Sequence, residues 1–383
     1  MDYNIIFDIT FLLLFAWVAL YATAVPQGDK RWWGLLAAMA ALVGVGMALG
    51  RGLWRTWFID AAAFVAAAMV ATRGTPKALD AMRHYLALLV LSVVCIGAGL
   101  LLGGEGATPP GGALPNVVAA LLLVGFAIKL ALLPFYFWLP GVAESAAPMT
   151  TALIVSVVDV AAFTELVHLR QVAPWVFADH AALWLVLALL SMFGGALLAL
   201  AQRDLKRMLA FSTVDDMGYL LLGVTVGSDV GLAGALLGAL SHALLKVLLF
   251  GAVGLVEGTI GEPVTLDNSR GLAARFPVSG AVFIVGSLGM IGVPPLFGFV
   301  GRWRLYLTGA EYGGPALVLA MAVATGLALL YYARAIHRVW LGRPEGITVS
   351  YSEPRTAKGV LVALAVVVLL LGVFPGWMTG VLG

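Results

Sequence analysis

Of 383 residues, 62% are aliphatic, aromatic or sulfur-bearing and only 11% are charged; mean hydropathy is +1.02 and net charge +2. So little charge excludes a soluble globular domain, and so small a net charge gives no reason to expect a nucleic-acid partner. A single cysteine, Cys95, excludes a disulfide framework and a thiolate-ligated metal or cluster.

Apolar runs of about 20 residues, the length that crosses a hydrocarbon core of roughly 30 Å, recur along the whole chain. Twelve are predicted, at 4–25, 31–50, 53–72, 82–103, 114–139, 146–169, 181–202, 207–227, 231–256, 277–301, 315–338 and 357–380. Lipid offers backbone groups no hydrogen-bond partner, so each run is expected to be a helix, and the alternating pattern of barrel strands is absent. The fold class is therefore an all-α polytopic membrane protein. The first run has no basic leader or small-residue cleavage site and reads as a retained helix. The connections are short and rich in Gly and Pro, the longest being 103–113, 257–276 and 339–356.

Two runs contain proline, Pro134 in the fifth and Pro294–Pro295 in the tenth. Proline removes an intrahelical hydrogen bond and clashes with the preceding turn, so both helices are expected to be broken. They lie five helices apart. Because five is odd, units at 31–170 and 180–340 would cross the membrane in opposite senses, an arrangement seen in many transporters. Residues 1–30 and 341–383 then supply one flanking helix each. Fourteen loop Lys and Arg residues fall on one side, against Arg51, Arg55, Arg170 and Arg304 on the other. The positive-inside rule makes the first side cytoplasmic and points both termini outward, as expected in a bacterial or archaeal cytoplasmic membrane.

Few ionisable residues remain at membrane depth: Asp60, Lys129, Asp159, Asp215, Asp216, His242, Lys246 and, at the end of the tenth run, Arg302. Each costs about 2.5–3.5 kcal/mol unpaired at mid-bilayer even on the lenient insertion scale. So many on separate helices imply a shared polar interior. A buried lysine beside a carboxylate suits proton loading and release, and Asp60 is the expected partner of Lys129. His242 and Lys246, at i, i+4, share a helix face and read as a relay step. Asp215 and Asp216 are adjacent, so at most one points cleanly into that interior, and the sequence leaves open which. Glu165 and His168 read as reaching interfacial water. Tyr331, Tyr332, Trp340, Trp32 and Trp33 read as an interfacial aromatic belt. No Walker loop, dinucleotide fingerprint or haem-type histidine pair is present, so no cofactor or metal site is expected.

The stretches KLALLPFYFWLP, APMTTALIVSVVDVAAF, DLKRMLAFSTVDDMGY, SHALLKVLLFGAVG and GVPPLFGFVGRW, in that order, resemble the proton-conducting antiporter-like membrane subunits. That superfamily includes subunits of complex I, Mrp antiporters, membrane-bound hydrogenases and some inorganic-carbon uptake systems. The resemblance runs from about residue 51 to 380. It implies two inverted five-helix units, a central chain of charges carrying protons between half-channels, and partner subunits that supply the energy. Lys129 matches the first-unit lysine, Asp60 the position usually held by glutamate, and His242 and Lys246 the second-unit relay. Asp159 falls, within one residue of register, where many relatives place lysine. Arg302 stands where GFxGKF or GFxGEF is usual. An arginine does not readily release its proton, which makes Arg302 a fixed counter-charge or an electrostatic gate. Asp215 and Asp216 replace neutral or histidine positions and would compensate for it. The family usually has fourteen spans, so about two are expected to be missing at the N-terminal end, and no long lateral helix follows the last span.

The resulting expectation is a proton-translocating, antiporter-like subunit of a larger membrane complex. It would move protons, with sodium as the alternative ion, from a cytoplasmic entrance through Lys129 and Asp159 toward His242 and Lys246. The surroundings would be lipid and other membrane and peripheral subunits. A stand-alone cation/proton antiporter and a structural subunit whose path Arg302 has closed are the rivals.

Overall fold

The computed structural model describes residues 3–50, 52–103, 106, 108–342 and 352–376. Arg51, Arg343, parts of the 103–113 and 339–356 connections and the 377–380 end of the last predicted span lie outside them. Among the described residues the chain is helical nearly throughout. In order the helices are α1 (Tyr3–Ala22), α2 (Lys30–Ala48), α3 (Leu53–Val70), α4 (Pro76–Gly103), α5 (Leu114–Lys129), α6 (Trp138–Ser145), α7 (Pro148–Leu153), α8 (Asp159–Val172), α9 (Trp175–Ala178), α10 (Ala181–Ala201), α11 (Leu205–Val226), α12 (Asp229–Ile260), α13 (Pro277–Ile291), α14 (Phe297–Ala335) and α15 (Arg355–Val373). The only β pairing among the described residues is a bridge between Asp204 and Thr265. Ten helical segments are long and apolar enough to cross a membrane, and α5 and α13 are shorter apolar helices.

Both proline-bearing runs are broken. Residues 130–137 separate α5 from α6, and residues 292–296 separate α13 from α14. Each break passes through the left-handed region, at Ala131 (φ 51°) and Gly292 (φ 88°). Freed backbone groups find side-chain partners, as membrane burial requires. Trp138 Nε1 donates to the Ile128 carbonyl at 2.9 Å, Ser191 Oγ accepts from Leu133 N–H at 3.1 Å, and Arg302 Nη2 donates to the Met290 carbonyl at 2.9 Å.

The tenth run extends further than the hydropathy pattern suggests. Residues 302–313 stay helical, and α14 then doubles back at Gly314, whose φ of 62° and ψ of −156° suit glycine alone. The two limbs lie side by side: the Tyr306 and Thr325 hydroxyls meet at 2.8 Å although 19 residues separate them. With α13 and the first limb of α14 together forming the tenth run and the second limb the eleventh, each of the twelve predicted spans has a helical counterpart. Arg302 accordingly sits inside the first limb, not at a helix end. Gly314→Ala should cost about 1–3 kcal/mol of stability, seen as a lower melting temperature of the detergent-solubilised protein.

Burial corrects the aromatic-belt expectation. Tyr331, Tyr332, Trp340 and Trp32 are each no more than 1% exposed, and only Trp33, at 43%, faces outward. Trp32 Nε1 donates to Thr150 Oγ1 at 2.9 Å. The reason is that α2 and the second limb of α14 turn these faces to neighbouring helices, which a single helix's sequence cannot reveal.

The centre of the bundle is α12, whose membrane-crossing stretch is completely enclosed. Small residues let it be so. A β-carbon on Gly301 of α14 would lie 2.5 Å from the Gly238 backbone nitrogen of α12, so these two helices touch backbone to backbone.

At one end of the bundle, charges tie the broken helix down. Glu144, at the end of α6, accepts from Arg207 Nη1 at 2.6 Å and faces Lys77 at 3.5 Å. Burial alone would raise its pKa, but the two cations hold it below the usual carboxylate value. A lowered carboxylate stabilises the fold above its unfolded pKa, roughly 4.3, and that contribution is lost as pH falls through the folded value. Thermal stability of the wild type should therefore drop on acidification below about pH 4.3, and Glu144→Gln should flatten that drop.

Candidate functional site

The charged residues of the interior form two clusters with Asp159 between them in sequence. In the first, Lys129 is the last residue of α5, where the helix dipole favours a cation. Its Nζ lies 2.5 Å from Asp60 Oδ1 on α3 and 3.4 Å from Glu165 Oε2 on α8. The three side chains are 1%, 9% and 10% exposed respectively. The expected Asp60–Lys129 pairing is thus present. The reading of Glu165 as an interfacial residue is corrected: it is the second carboxylate on Lys129. Its spacing from Asp159 gave no hint, because its partner lies 36 residues away on another helix. Arg55, five residues before Asp60 on α3, is buried and lies 3.6 Å from Asp8.

Asp159 begins α8 directly after a π-helical turn, Ile154–Val158. Such a turn inserts one extra residue and re-aims everything after it. Asp159 is fully buried, and neither carboxylate oxygen meets a donor among the described residues; the same holds for the Thr151 and Ser156 hydroxyls on the same span. Lys129 is the cation that acts on it. The structure therefore places Asp159 in the interior, within electrostatic reach of the first cluster.

In the second cluster, residues one turn apart on α12 face residues one turn apart on α11. His242 Nδ1 lies 2.8 Å from Asp216 Oδ2. Lys246 Nζ donates to Ser212 Oγ at 2.6 Å and to the Leu209 carbonyl at 2.8 Å. Among the described residues Lys246 makes no ion pair, only bonds to neutral oxygens. Arg302 Nη2 donates to Asp216 Oδ1 at 2.8 Å, and its guanidinium lies 3.7 Å from the centre of the Tyr219 ring. Asp216 is therefore the hub, and it is the carboxylate that balances Arg302. Asp215 points the other way and accepts from Tyr331 Oη at 3.1 Å. Tyr332 Oη donates to the same Ser212 that receives Lys246. Both tyrosines thus belong to the polar interior, which the sequence did not signal.

Lys129 stands at the first helix break, Arg302 at the second and Lys246 on the enclosed α12, with carboxylates and a histidine around them: a polytopic membrane bundle with a charged interior. The sequence profile of the NADH:quinone oxidoreductase/Mrp antiporter transmembrane family matches residues 111–328, and the chain belongs to that family. NADH-quinone oxidoreductase subunit N 3 of Streptomyces griseus is 34% identical over 266 residues, covering 69% of this chain and 48% of that protein. Subunit N of Salinibacter ruber is 34% identical over 271 residues, covering 67% and 53%. The chain spans about half the length of these curated relatives. Among solved structures, a chain of respiratory complex I from Thermus thermophilus with bound NADH superposes with a TM-score of 0.87 at 26% identity, over 100% of this chain and 83% of that one. A chain of the Mrp complex from Dietzia sp. superposes at 0.89 with 21% identity, over 100% and 82%, a likeness of fold.

Proposed function

We propose that this chain is a proton-translocating, antiporter-like subunit of a multi-subunit energy-coupling membrane complex, of the kind to which NADH-quinone oxidoreductase subunit N and Mrp proteins belong. The observation that carries the reading is the pair of membrane-depth lysines, Lys129 and Lys246, each set beside acidic or hydroxyl partners inside the bundle. Buried ionisable groups are costly and mark ion paths. In this reading residues 31–170 and 180–340 are two inverted units, each with one broken helix, flanked by helices at 1–30 and 341–383. Protons pass along Asp60, Lys129, Asp159, Lys246, His242, Asp216 and Asp215, with Arg302 as a fixed counter-charge; sodium is the alternative ion. The membrane is a bacterial or archaeal cytoplasmic membrane, with both termini outside. Other membrane and peripheral subunits would supply the energy.

Lys246→Ala in the assembled complex tests this. Proton uptake into sealed vesicles, followed with a pH-sensitive dye, should fall to background while the subunits still co-purify. Unchanged uptake would remove the proposal. One observation favours a second reading, a subunit whose second half is closed: Arg302 is held at once by Asp216, the Met290 carbonyl and the Tyr219 ring.

A further inference from the structure

Glu165 has two oxygens with different surroundings. Oε2 lies 3.4 Å from Lys129 Nζ, whereas Oε1 is buried and meets no hydrogen-bond donor among the described residues. The same carboxylate lines a cavity of about 40 Å³, room for a few waters. Gly52 and Thr56 in the cavity wall come from the start of α3, Leu100 from near the end of α4, and His168 and Val172 from the last turns of α8. The cavity therefore occupies one end of the bundle, the end that carries Arg55 and Arg170. Its polar wall is made by Arg55, Thr56, Thr164, Glu165 and His168, which gives entering water several partners. Asp60, the tighter partner of Lys129, does not line it.

We propose that Glu165 is a proton carrier that connects Lys129 to the aqueous phase on the Arg55 side through this cavity, so that the first unit exchanges protons at that face. This deepens the transport reading and rests on it. In the outward step the Nζ–H bond of Lys129 breaks and an O–H bond forms at Oε2, leaving a neutral amine and a carboxylic acid. The acid then yields its proton to water in the cavity, and the carboxylate is restored. The reverse sequence reloads the lysine. Asp60 stays at 2.5 Å as the anchoring carboxylate. The charged groups that act on Glu165 from neighbouring helices are Lys129 on α5 and Asp60 and Arg55 on α3, with His168 one turn along its own helix. The entrance expected from the sequence lies on the opposite face; this cavity is a separate route.

The test uses the chain in its assembled complex, with Cys95→Ser removing this chain's sole native thiol. Thr164→Cys, next to Glu165, and Thr56→Cys, nearer the mouth, are exposed in sealed vesicles to a membrane-impermeant cationic thiosulfonate from each side. Both should be modified from the Arg55 side only. Glu165→Gln should lower proton translocation about tenfold or more, since positioned acid–base groups contribute about 10²–10⁴-fold, and Glu165→Asp should recover part of it. Absence of Thr164→Cys modification from that side overturns the proposal. Full translocation by Glu165→Gln alongside loss in Lys129→Ala also overturns it, while leaving the transport reading in place. Full translocation by both variants overturns the transport reading, and this role with it.

Discussion

Lys129→Ala is expected to abolish proton translocation by the assembled complex and to destabilise the chain. Two carboxylates, Asp60 and Glu165, converge on this one ammonium in a site no more than 10% exposed. Removing one partner of a buried ion pair costs about 3–5 kcal/mol, because the other charge is left uncompensated. Stability and transport can be separated. Lys129→Ala with Asp60→Asn removes one stranded charge, and its melting temperature in detergent should recover while translocation stays at background. Lys129→Arg should keep the fold better than alanine, since a cation remains, yet fail to translocate because a guanidinium does not give up its proton. A Lys129→Ala complex that fills vesicles with protons at the wild-type rate would leave a structural subunit as the better account.

Arg302→Ala is the second large effect. It strips Asp216 of one of its two hydrogen-bond partners, frees the Met290 carbonyl at the break and uncovers the Tyr219 ring. Loss of the buried pair again points to about 3–5 kcal/mol. A double-mutant cycle with Asp216→Asn should show strong coupling, the pair of changes costing much less than the sum of the single ones. Arg302→Lys should fall between, as it keeps charge but loses the planar stacking, worth about 2 kcal/mol when desolvated. If the closed-path reading holds, Arg302→Lys should raise translocation; if Arg302 is a fixed counter-charge on a working path, it should lower it. Vesicle acidification decides between them.

Much of the architecture was legible because bilayer thickness writes itself into sequence. Apolar runs gave the spans, and Pro134 and Pro294–Pro295 gave the breaks. The ionisable residues within those runs gave most of the interior clusters, since each is too costly to place there idly. What escaped depended on neighbours. Glu165 was set at the interface because it lies near a helix end, but α5 and α3 cover it. Tyr331 and Tyr332 resemble belt residues until α11 brings Asp215 and Ser212 against them. Whether Asp215 or Asp216 faced inward turned on the rotation of α11, fixed only by His242 and Arg302. The hairpin at Gly314 was hidden because polar residues 302–313 lower the hydropathy without ending the helix. The extra residue in the turn before Asp159 leaves no trace in composition.

The backbone contact between Gly238 and Gly301 has a bearing on how such a molecule can work. Two helices seated that closely cannot slide past each other like a piston without a steric collision at each glycine. A cycle of the kind proposed would at this crossing be expected to use swings of side-chain tips and rearranged solvent rather than sliding of α12 along α14.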